Sequence, residues 1–290
     1  MDVRESHKRV WTDAEVHLLP PQWCRADYTP PAGEDVLMRV VYNHPERENA
    51  LSRATAEAAL EEMNRAGIEC SVIMGLPWRA PEMNWLNNDY IREVVEMYPG
   101  RFIGMGMTPP PDLEDPRDAV RKISDEYGFP GVKVIPSWQG FSLDDPIFAP
   151  ALEEMVDRNL VLEPHTDHGF MSPTKYDSVH SLFEVAKRYP ELRILAPHLG
   201  GLLCLYSLHA PMKDVLKNIT FVGSVPTSLK MIEFAVAAVG ADRVTFGSDF
   251  PFNPSHDQCS LIDTVEGLNL MEEEKDMLAH GTFKTFFGLT

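Results

Sequence analysis

The sequence predicts an α/β protein built as a single (β/α)8 barrel, a TIM barrel, over residues 1–290. Three observations predict it. Short apolar or β-branched runs recur along the chain, a helix-like stretch follows most of them, and after the first gap successive runs start about 24 to 33 residues apart. That interval is close to the length of a β-loop-α-loop unit. Alternation of this kind is typical of a parallel sheet, and eight units are enough to close it into a barrel.

Eight predicted strands follow one another along the chain. They cover residues 14–19, 70–76, 102–108, 131–136, 160–165, 193–198, 219–223 and 243–249. The helices predicted between them carry apolar residues at three- and four-residue spacing and cover residues 54–65, 85–98, 115–127, 146–158, 176–188 and 229–239. Glycine or proline follows several of these helices, as at Gly67 and Pro99, where the chain must stop and turn back into a strand.

Roughly fifty residues separate the first two predicted strands, where a βα unit needs about thirty. An insertion is therefore predicted at approximately residues 20–50. It holds five prolines, an apolar run at residues 36–42 and a polar tip at residues 43–46. In a barrel this is the first βα loop on the catalytic face, where a lid or substrate wall is expected. A decorative hairpin or a subunit contact is the alternative.

Composition excludes several classes of partner. Lys and Arg number 26 against 44 Asp and Glu, and the net charge of −18 repels phosphate backbones and anionic membranes. We therefore expect no nucleic-acid or membrane partner, and a small molecule as substrate. Four widely spaced cysteines predict neither a disulfide framework nor a thiolate zinc site. Neither an apolar signal segment at the amino terminus nor a membrane-spanning run is found, so a cytoplasmic protein is expected.

Ionisable side chains occur where the strands of a parallel barrel should be apolar. Glu15 and His17 lie two residues apart on the first predicted strand, so both point to the same face. His165, His198 and Asp249 end the fifth, sixth and eighth strands. The carboxyl ends of all strands lie on one rim of a barrel, and active sites occur there. We therefore expect these five side chains to converge.

Four of the five make a mixed nitrogen and oxygen ligand set. Glu15, His17, His165 and Asp249 suit one divalent ion, Zn²⁺ or Mn²⁺, with positions left for water and substrate. Such an ion would lower the pKa of bound water or polarise a substrate oxygen. A single strand-end histidine is more often a core or surface residue than a ligand. The prediction rests on four ligand types that come together.

Four stretches of the sequence carry a resemblance to a known family. They are GVKVIPSWQGFSLDDPIFAPALEEMVDRNLVLEPH, ILAPHLGG, DRVTFGSDFPF and MLAHGTFKTFFGL. With these motifs the chain resembles the amidohydrolase superfamily over nearly its whole length. It resembles in particular the aminocarboxymuconate-semialdehyde-decarboxylase-like branch, amidohydrolase family 2.

The resemblance implies a mononuclear site in which Glu15, His17, His165 and Asp249 hold the ion, with His198 beside it in catalysis or substrate binding. Many members carry HxH on the first strand, whereas the ExH form of this chain is familiar from the aromatic-acid decarboxylases of the branch, which often use manganese or zinc. Those decarboxylases tend to be longer and commonly carry an acidic residue three positions after the sixth-strand histidine. The resemblance also implies a homo-oligomer, such as a dimer.

Several further residues are expected near the substrate. Lys133 lies on the fourth strand, where other amidohydrolases place a carbamylated lysine between two metals, and we expect it instead to support the site or to bind a substrate anion. Trp138 and Gln139 are expected at the mouth of the pocket, where an indole can stack on a ring, with packing against the neighbouring loop as the alternative. His168 is expected to bind substrate or to fix the tautomer of a ligand histidine, with a surface loop as the alternative.

The same residues serve two reactions. The narrowly favoured hypothesis is a hydrolase of an ester, lactone or amide of a small carboxylate or ring metabolite, because Gly201 stands where the decarboxylases carry their acid. In it a metal-activated water attacks, Asp249 takes the proton, and His198 steadies the oxyanion or protonates the leaving group. The alternative is a non-oxidative decarboxylase, in which Asp249 or His198 protonates a carbon before CO2 leaves. A third hypothesis is an inactive barrel that binds a metabolite.

Overall fold

The strands of the protein are short and almost entirely buried, as parallel strands covered on both faces must be. The computed structural model describes residues 9–37, 41–43, 48–166, 176, 178–224, 228–253 and 257–289. In this part of the chain the strands are β1 (Trp11–His17), β2 (Ile68–Met74), β3 (Phe102–Gly104), β4 (Gly106–Met107), β5 (Gly131–Val134), β6 (Val161–Pro164), β7 (Arg193–Ala196), β8 (Ile219–Val222) and β9 (Val244–Thr245). Neighbouring strands pair in parallel.

Backbone hydrogen bonds join these strands into a barrel. β1 to β3 form one sheet and β4 to β9 another. Met105 alone separates β3 from β4 and its N–H donates to the neighbouring strand β2, so the third strand of the barrel runs through both sheets. At the other edge, the N–H of Ala14 donates to the carbonyl of Phe246 at 3.0 Å, and that of His17 to Phe250 at 2.7 Å. The first and last strands are therefore neighbours.

Helices follow the strands and pack against them. Within the described residues they are α1 (Asp35–Leu37), α2 (Glu48–Leu51), α3 (Ala56–Ala66), α4 (Pro81–Met97), α5 (Pro116–Asp125), α6 (Pro136–Gln139), α7 (Ala149–Asp157), α8 (Val179–Arg188), α9 (His198–Gly201, a left-handed turn), α10 (Ala210–Val215), α11 (Met231–Val239), α12 (Gln258–Glu266), α13 (Glu272–Asp276) and α14 (Thr282–Phe287). Thr55 caps α3 by accepting from the N–H of Ala58, and Gly67 ends it with a φ of 76°. Over the ranges that the structure describes, no helix is both long enough and apolar enough to cross a membrane.

The α/β barrel predicted from the sequence is confirmed, and each predicted strand overlaps an observed one. β1 begins at Trp11, three residues before the prediction, because it includes the buried polar residues Thr12 and Asp13, which an apolar pattern does not detect. The carboxyl-terminal helices α12 to α14 were not predicted.

The segment between β1 and β2 packs around an apolar cluster of its own, called here the insertion cluster. Its buried side chains are Leu19, Trp23, Cys24, Leu37, Val41, Ala50, Leu51 and Ala54 from the segment, with Leu76, Trp78, Met83 and Phe252 from elsewhere. Glu34, only 4% exposed, ties the segment to the barrel, because its carboxylate accepts from the backbone N–H groups of Arg79 and Ala80 at 2.9 and 2.8 Å. Residues 44–46 of the predicted polar tip lie outside the described residues.

Candidate metal centre

β1 carries three buried ionisable side chains. Glu15 and His17 share one face of the strand, whereas a register shift between Asp13 and Val16 leaves Asp13 on the opposite face. Asp13 and Glu15 are fully buried and His17 is 4% exposed. Ionisable groups this deep in a protein need hydrogen bonds, opposite charges or a metal ion as partners.

Asp249 joins two of them in a group of candidate ligands. It follows β9 with a φ of 55°, a left-handed conformation that residues other than glycine seldom adopt. Its Oδ1 atom lies 3.5 Å from Nε2 of His17, which lies 4.0 Å from Oε1 of Glu15. One ligand atom from each of the three residues lies within 4.8 Å of the others. Three of the four predicted ligands are thus brought together.

The tautomer of His17 indicates what these residues can hold. Its Nδ1 atom lies 3.0 Å from the carbonyl of Gly75, and since a carbonyl can only accept, Nδ1 carries the proton. Burial and the charge of Lys133 lower the pKa of His17 to about 4, so the ring is neutral at neutral pH and Nε2 presents a lone pair. That lone pair faces the carboxylates of Glu15 and Asp249, and a cation between them would remove the repulsion. Two carboxylates and one imidazole fit Mn²⁺ or Zn²⁺.

Lys133 and Glu163 surround Glu15 with a buried ionic network. The Lys133 ammonium, on β5, donates to Oε1 of Glu15 at 2.8 Å and to Oε1 of Glu163 at 3.1 Å. Burial alone would raise the pKa of Glu15, but the charge of Lys133 holds it well below its usual range. Burial alone would likewise lower the pKa of Lys133, but Glu15 and Glu163 raise it above its usual value. Glu15 therefore stays a carboxylate and Lys133 stays a cation.

Of the two roles expected for Lys133, this network favours support of the site over the binding of a substrate anion. The side chain is fully buried and its ammonium already contacts two carboxylates, which leaves it supporting Glu15. Carbamylation is also disfavoured here, because it needs a neutral amine and would put a negative group against Glu15 and Glu163.

His165 and His198 lie side by side next to the three-residue group. Nε2 of His198 is 3.2 Å from Nδ1 of His165 and 3.9 Å from Oε1 of Glu15. Burial, together with the charges of His198 and Lys133, lowers the pKa of His165 well below its usual range. His165 is therefore neutral and its Nδ1 is turned towards His198. Its part as the fourth ligand stays a prediction.

His198 is oriented by a different partner from the one that the resemblance implies. Gly201 occupies the position where the decarboxylases commonly carry an acid. Instead, Nδ1 of His198 lies 2.5 Å from the carbonyl oxygen of Ser224. Since that oxygen only accepts, Nδ1 carries a proton, and Nε2 is the nitrogen that can exchange a proton with a substrate.

The remaining predicted residues lie further from this group or outside the described residues. The amide of Gln139 is 1% exposed, accepts from the N–H of Ile135 at 2.9 Å and donates to the carbonyl of Thr108 at 2.8 Å. It braces the turn after β5, so the expected substrate contact does not fit its position. Trp138 is half-buried and packs against the insertion cluster, which is the alternative given for it. His168 lies outside the described residues.

Two residues that position the site were missed in the sequence. Asp13 accepts from the backbone N–H groups of Glu15 and Ser248 at 3.1 and 2.9 Å, and from the side-chain amide of Gln258 at 2.8 Å. It thereby joins β1 to the residue that precedes Asp249. Its place on a strand that should be apolar was the available signal. Ser224 is the second, and its signal was a polar residue soon after an apolar strand.

The fold and the donor set define a class of protein, a parallel α/β barrel with metal-ligand side chains at the carboxyl ends of its strands. A sequence model of the family described as Amidohydrolase matches residues 12–289. The chain belongs to the amidohydrolase family. This confirms the resemblance found in the sequence motifs.

Curated relatives place the chain in the predicted branch of this family. A 2-amino-3-carboxymuconate-6-semialdehyde decarboxylase of Dictyostelium discoideum is 24% identical over 277 residues, 80% of this chain and 76% of the relative. A gamma-resorcylate decarboxylase of Polaromonas sp. strain JS666 is 24% identical over 266 residues, 73% of this chain and 78% of the relative. Both are decarboxylases.

Solved structures share the fold over nearly the whole chain. The 5-carboxyvanillate decarboxylase of Sphingomonas paucimobilis has a TM-score of 0.76 at 19% identity and covers 98% of this chain and 100% of its own. The enzyme of the same name from Novosphingobium aromaticivorans, complexed with manganese, has a TM-score of 0.75 at 18% identity, with 98% and 97% covered. A 2,6-dihydroxybenzoate decarboxylase from Rhizobium has a TM-score of 0.73 at 17% identity, with 97% and 99% covered.

Proposed function

We propose that this protein is a metal-dependent, non-oxidative decarboxylase of an aromatic or unsaturated carboxylic acid. One divalent ion, Mn²⁺ or Zn²⁺, is held by Glu15, His17 and Asp249, with His165 as the fourth ligand. The observation that carries the proposal is the lone pair of His17 Nε2, which faces two carboxylates across a gap suited to a cation. The decarboxylase names of both curated relatives support the reaction class.

The residues around the ligands keep the centre in its charged state. When bound, the ion would supply a Lewis acid that polarises the substrate. Lys133 keeps Glu15 ionised and ready to bind, because their buried contact of 2.8 Å favours both charged forms. The carbonyl of Gly75 fixes the tautomer of His17 that leaves Nε2 available.

His198 supplies the proton in this mechanism. In its doubly protonated form, which carries a proton on each ring nitrogen, His198 donates the Nε2 proton to the carbon that bears the carboxylate, and this carbon becomes tetrahedral. The bond to the carboxylate carbon then breaks, its electron pair returns to the unsaturated system, and CO2 leaves. The substrate carboxylate has gained one proton and lost CO2, and neutral His198 regains its proton from solvent. The proton stays on Nδ1 throughout, because the carbonyl of Ser224 accepts from it.

The hydrolase hypothesis uses the same residues and remains the second candidate. It was narrowly favoured in the sequence because Gly201 replaces an acid that orients the sixth-strand histidine. In the structure the carbonyl of Ser224 meets that need, so the argument against decarboxylation is weaker. The two reactions differ in one measurable respect, since hydrolysis adds the elements of water and decarboxylation does not.

The test is turnover in labelled water. Metal-free protein is loaded with Mn²⁺ or Zn²⁺ and incubated in D2O, and in parallel in H2¹⁸O, with a panel of hydroxybenzoates and unsaturated acids, and with lactones and amides. For the proposed reaction we expect CO2 release and a product that carries one deuterium at the carbon that lost its carboxylate. His17→Ala should lose at least about a hundredfold in rate, as expected when a metal ligand is removed.

His180 provides the matched control, because His180→Ala removes an exposed imidazole that is not among the candidate ligands and should keep wild-type turnover. Incorporation of ¹⁸O from water without CO2 release would replace the decarboxylase by the hydrolase. No turnover, with the wild type indistinguishable from His17→Ala, would leave only a metabolite-binding barrel.

A further inference from the structure

Ser224 contacts both the ligand Glu15 and the acid His198. It follows β8 and is 1% exposed. Its hydroxyl lies 2.5 Å from Oε2 of Glu15 and 3.2 Å from the backbone nitrogen of His198. Its carbonyl oxygen lies 2.5 Å from Nδ1 of the same histidine. One buried residue therefore links two groups on different strands.

The direction of each hydrogen bond follows from the available protons. The carboxylate of Glu15 already accepts from the Lys133 ammonium at 2.8 Å and offers acceptor oxygens only, so the single hydroxyl proton of Ser224 is donated to it. The hydroxyl oxygen then has lone pairs left to accept from the backbone N–H of His198. The carbonyl accepts from Nδ1–H. Each contact is satisfied in one orientation of the hydroxyl.

These contacts determine the orientation of Glu15. Oε1 accepts from Lys133 at 2.8 Å and Oε2 accepts from Ser224 at 2.5 Å, so the carboxylate is held from both sides. Hydrogen bonds to an ionised acceptor are among the stronger ones in proteins. Hydrogen bonds from residues that do not themselves bind the ion orient the metal ligands, and the loss of these bonds commonly weakens metal binding.

The same contacts hold His198 in an unusual backbone conformation. His198 has a φ of 55°, and Leu199 after it has a φ of 56°. A left-handed conformation is costly for such residues and persists only where neighbouring groups enforce it. The hydroxyl of Ser224 binds the backbone at this point and its carbonyl binds the ring, so Nε2 is directed towards His165 and Glu15.

We propose that Ser224 is a positioning residue that couples the metal ligand Glu15 to the proton donor His198. The hydroxyl sets the orientation of the Glu15 carboxylate, and the carbonyl sets the tautomer and orientation of the His198 ring. The inference rests on the metal centre of the proposed function, but it does not depend on which bond of the substrate is broken.

The experiment measures metal affinity and the His198 tautomer separately. Ser224→Ala removes the hydroxyl and keeps the carbonyl. In a calorimetric titration of the metal-free, full-length Ser224→Ala variant with Mn²⁺ alone, we expect the Kd for Mn²⁺ to rise about tenfold. This is the lower end of about 10- to 100-fold, the loss seen when a hydrogen-bond partner of a metal ligand is changed. Ser224→Thr keeps a hydroxyl and should remain within about threefold of wild type. In ¹⁵N NMR of the metal-free protein, His198 should show a proton on Nδ1 in wild type and in Ser224→Ala.

Ser207→Ala is the matched control, because Ser207 is also a buried serine whose hydroxyl donates to backbone carbonyls, those of Cys204 and Ala238. Its Kd should stay within about twofold of wild type, and circular dichroism checks that all variants are folded. The proposal is overturned if folded Ser224→Ala binds Mn²⁺ like wild type, if folded Ser224→Thr is as weak as the alanine variant, or if the neutral ring of His198 carries its proton on Nε2 instead of Nδ1. Failure of wild type to bind both Mn²⁺ and Zn²⁺ would instead contradict the metal centre, while the NMR result would still test the contact with His198.

Discussion

The surroundings of Lys133 bear on the number of metal ions that the candidate metal centre can hold. Its ammonium stands between Glu15 and Glu163, with contacts of 2.8 and 3.1 Å, and the three side chains are fully buried. Burial, together with the charge of Glu15, raises the pKa of Glu163 to about 8 against the opposing effect of Lys133. The lysine is thus an internal cation beside the ligand group. A second metal ion is not needed to balance Glu15.

Lys133→Met tests this network. The change leaves Glu15 and Glu163 buried without their common cation, and breaking a buried ion pair by removing one partner costs about 3–5 kcal/mol. We expect the free energy of unfolding in urea to fall by that amount. Lys133→Met combined with Glu15→Gln should recover part of the loss, because Glu15, which Lys133 holds in its ionised form, is then replaced by an uncharged amide.

Lys217→Met is the control for the loss of a lysine charge. Lys217 is exposed, so this variant should change the free energy of unfolding by less than about 0.5 kcal/mol. A loss no larger in Lys133→Met than in Lys217→Met would contradict a stabilising role for the buried network.

At the residue scale, the sequence predicts ligands better than it predicts their partners. Glu15, His17 and Asp249 were found because strand periodicity and strand ends limit where side chains can converge. Whether the inward-facing Lys133 meets a substrate or another strand depends on the register between β5 and its neighbour β6, which brings Lys133 opposite Glu163. A single strand does not reveal that register. The left-handed φ of His198 likewise has no pattern in its own sequence.

The insertion cluster of the segment between β1 and β2 packs against a candidate metal ligand. Phe252, a member of the insertion cluster, packs edge-on against the ring of His17 with 5.5 Å between the ring centroids. Trp78 belongs to the same cluster and packs against Trp23 at 4.7 Å. Movement of this segment would therefore change the packing around the candidate ligand His17. This agrees with the predicted lid or substrate wall, which stays a prediction.

Glu34→Ala should loosen this segment without unfolding the barrel. The variant removes the carboxylate that accepts from the N–H groups of Arg79 and Ala80, and hydrogen bonds to a charged group contribute about 1.5–3 kcal/mol. We expect faster hydrogen exchange at these two amides and across the described part of residues 21–54. Amides of β5 to β8 should keep wild-type protection.

The matched control is Glu61→Ala, which removes an exposed glutamate from α3. It should leave exchange in the segment unchanged. Equal acceleration in the segment and in β5 to β8 for Glu34→Ala would mean that the contact supports the whole fold rather than this element.

For helices and strands, the prediction succeeded where burial of one or both faces makes apolar residues recur in a regular pattern along the sequence. Apolar runs located the barrel strands, and three- and four-residue spacing located α3, α4, α5, α7, α8 and α11. The segment between β1 and β2 has no such pattern. Its short helices are held by contacts that are distant in sequence, such as that of Trp23 with Trp78, so its length was predictable but its conformation was not.

Across the whole molecule, the candidate ligands join the two ends of the barrel. Glu15 and His17 lie on β1 and Asp249 follows β9. Asp13 spans the same junction, because it accepts from Glu15 and from Ser248. An ion bound there would act as an additional link between the first and the last strand.

Mn²⁺ should therefore stabilise the native fold. An ion that binds only the folded protein adds about 2.7 kcal/mol at a concentration of one hundred times its Kd. For a chain of this size we expect the Tm to rise by about 5–10 °C, and addition of EDTA should reverse the change. Differential scanning calorimetry of metal-free and loaded protein measures it.

His17→Ala should show no such rise, whereas His180→Ala, which alters an exposed histidine, should show the full one. An equal rise in both variants would mean that Mn²⁺ binds elsewhere on this acidic chain, whose net charge is −18.

The junction between β1 and β9 also bears on the order in which the protein can be made. Glu15 leaves the ribosome early, whereas Asp249 is synthesised 249 − 15 = 234 residues later. At synthesis rates of about 5–20 residues per second, ten seconds or more separate the two carboxylates. A nascent chain that has not reached Asp249 lacks one side of the centre, so the complete three-residue group exists only once synthesis has passed Asp249. The assembled group is thus a mark of a chain whose barrel has been synthesised beyond β9.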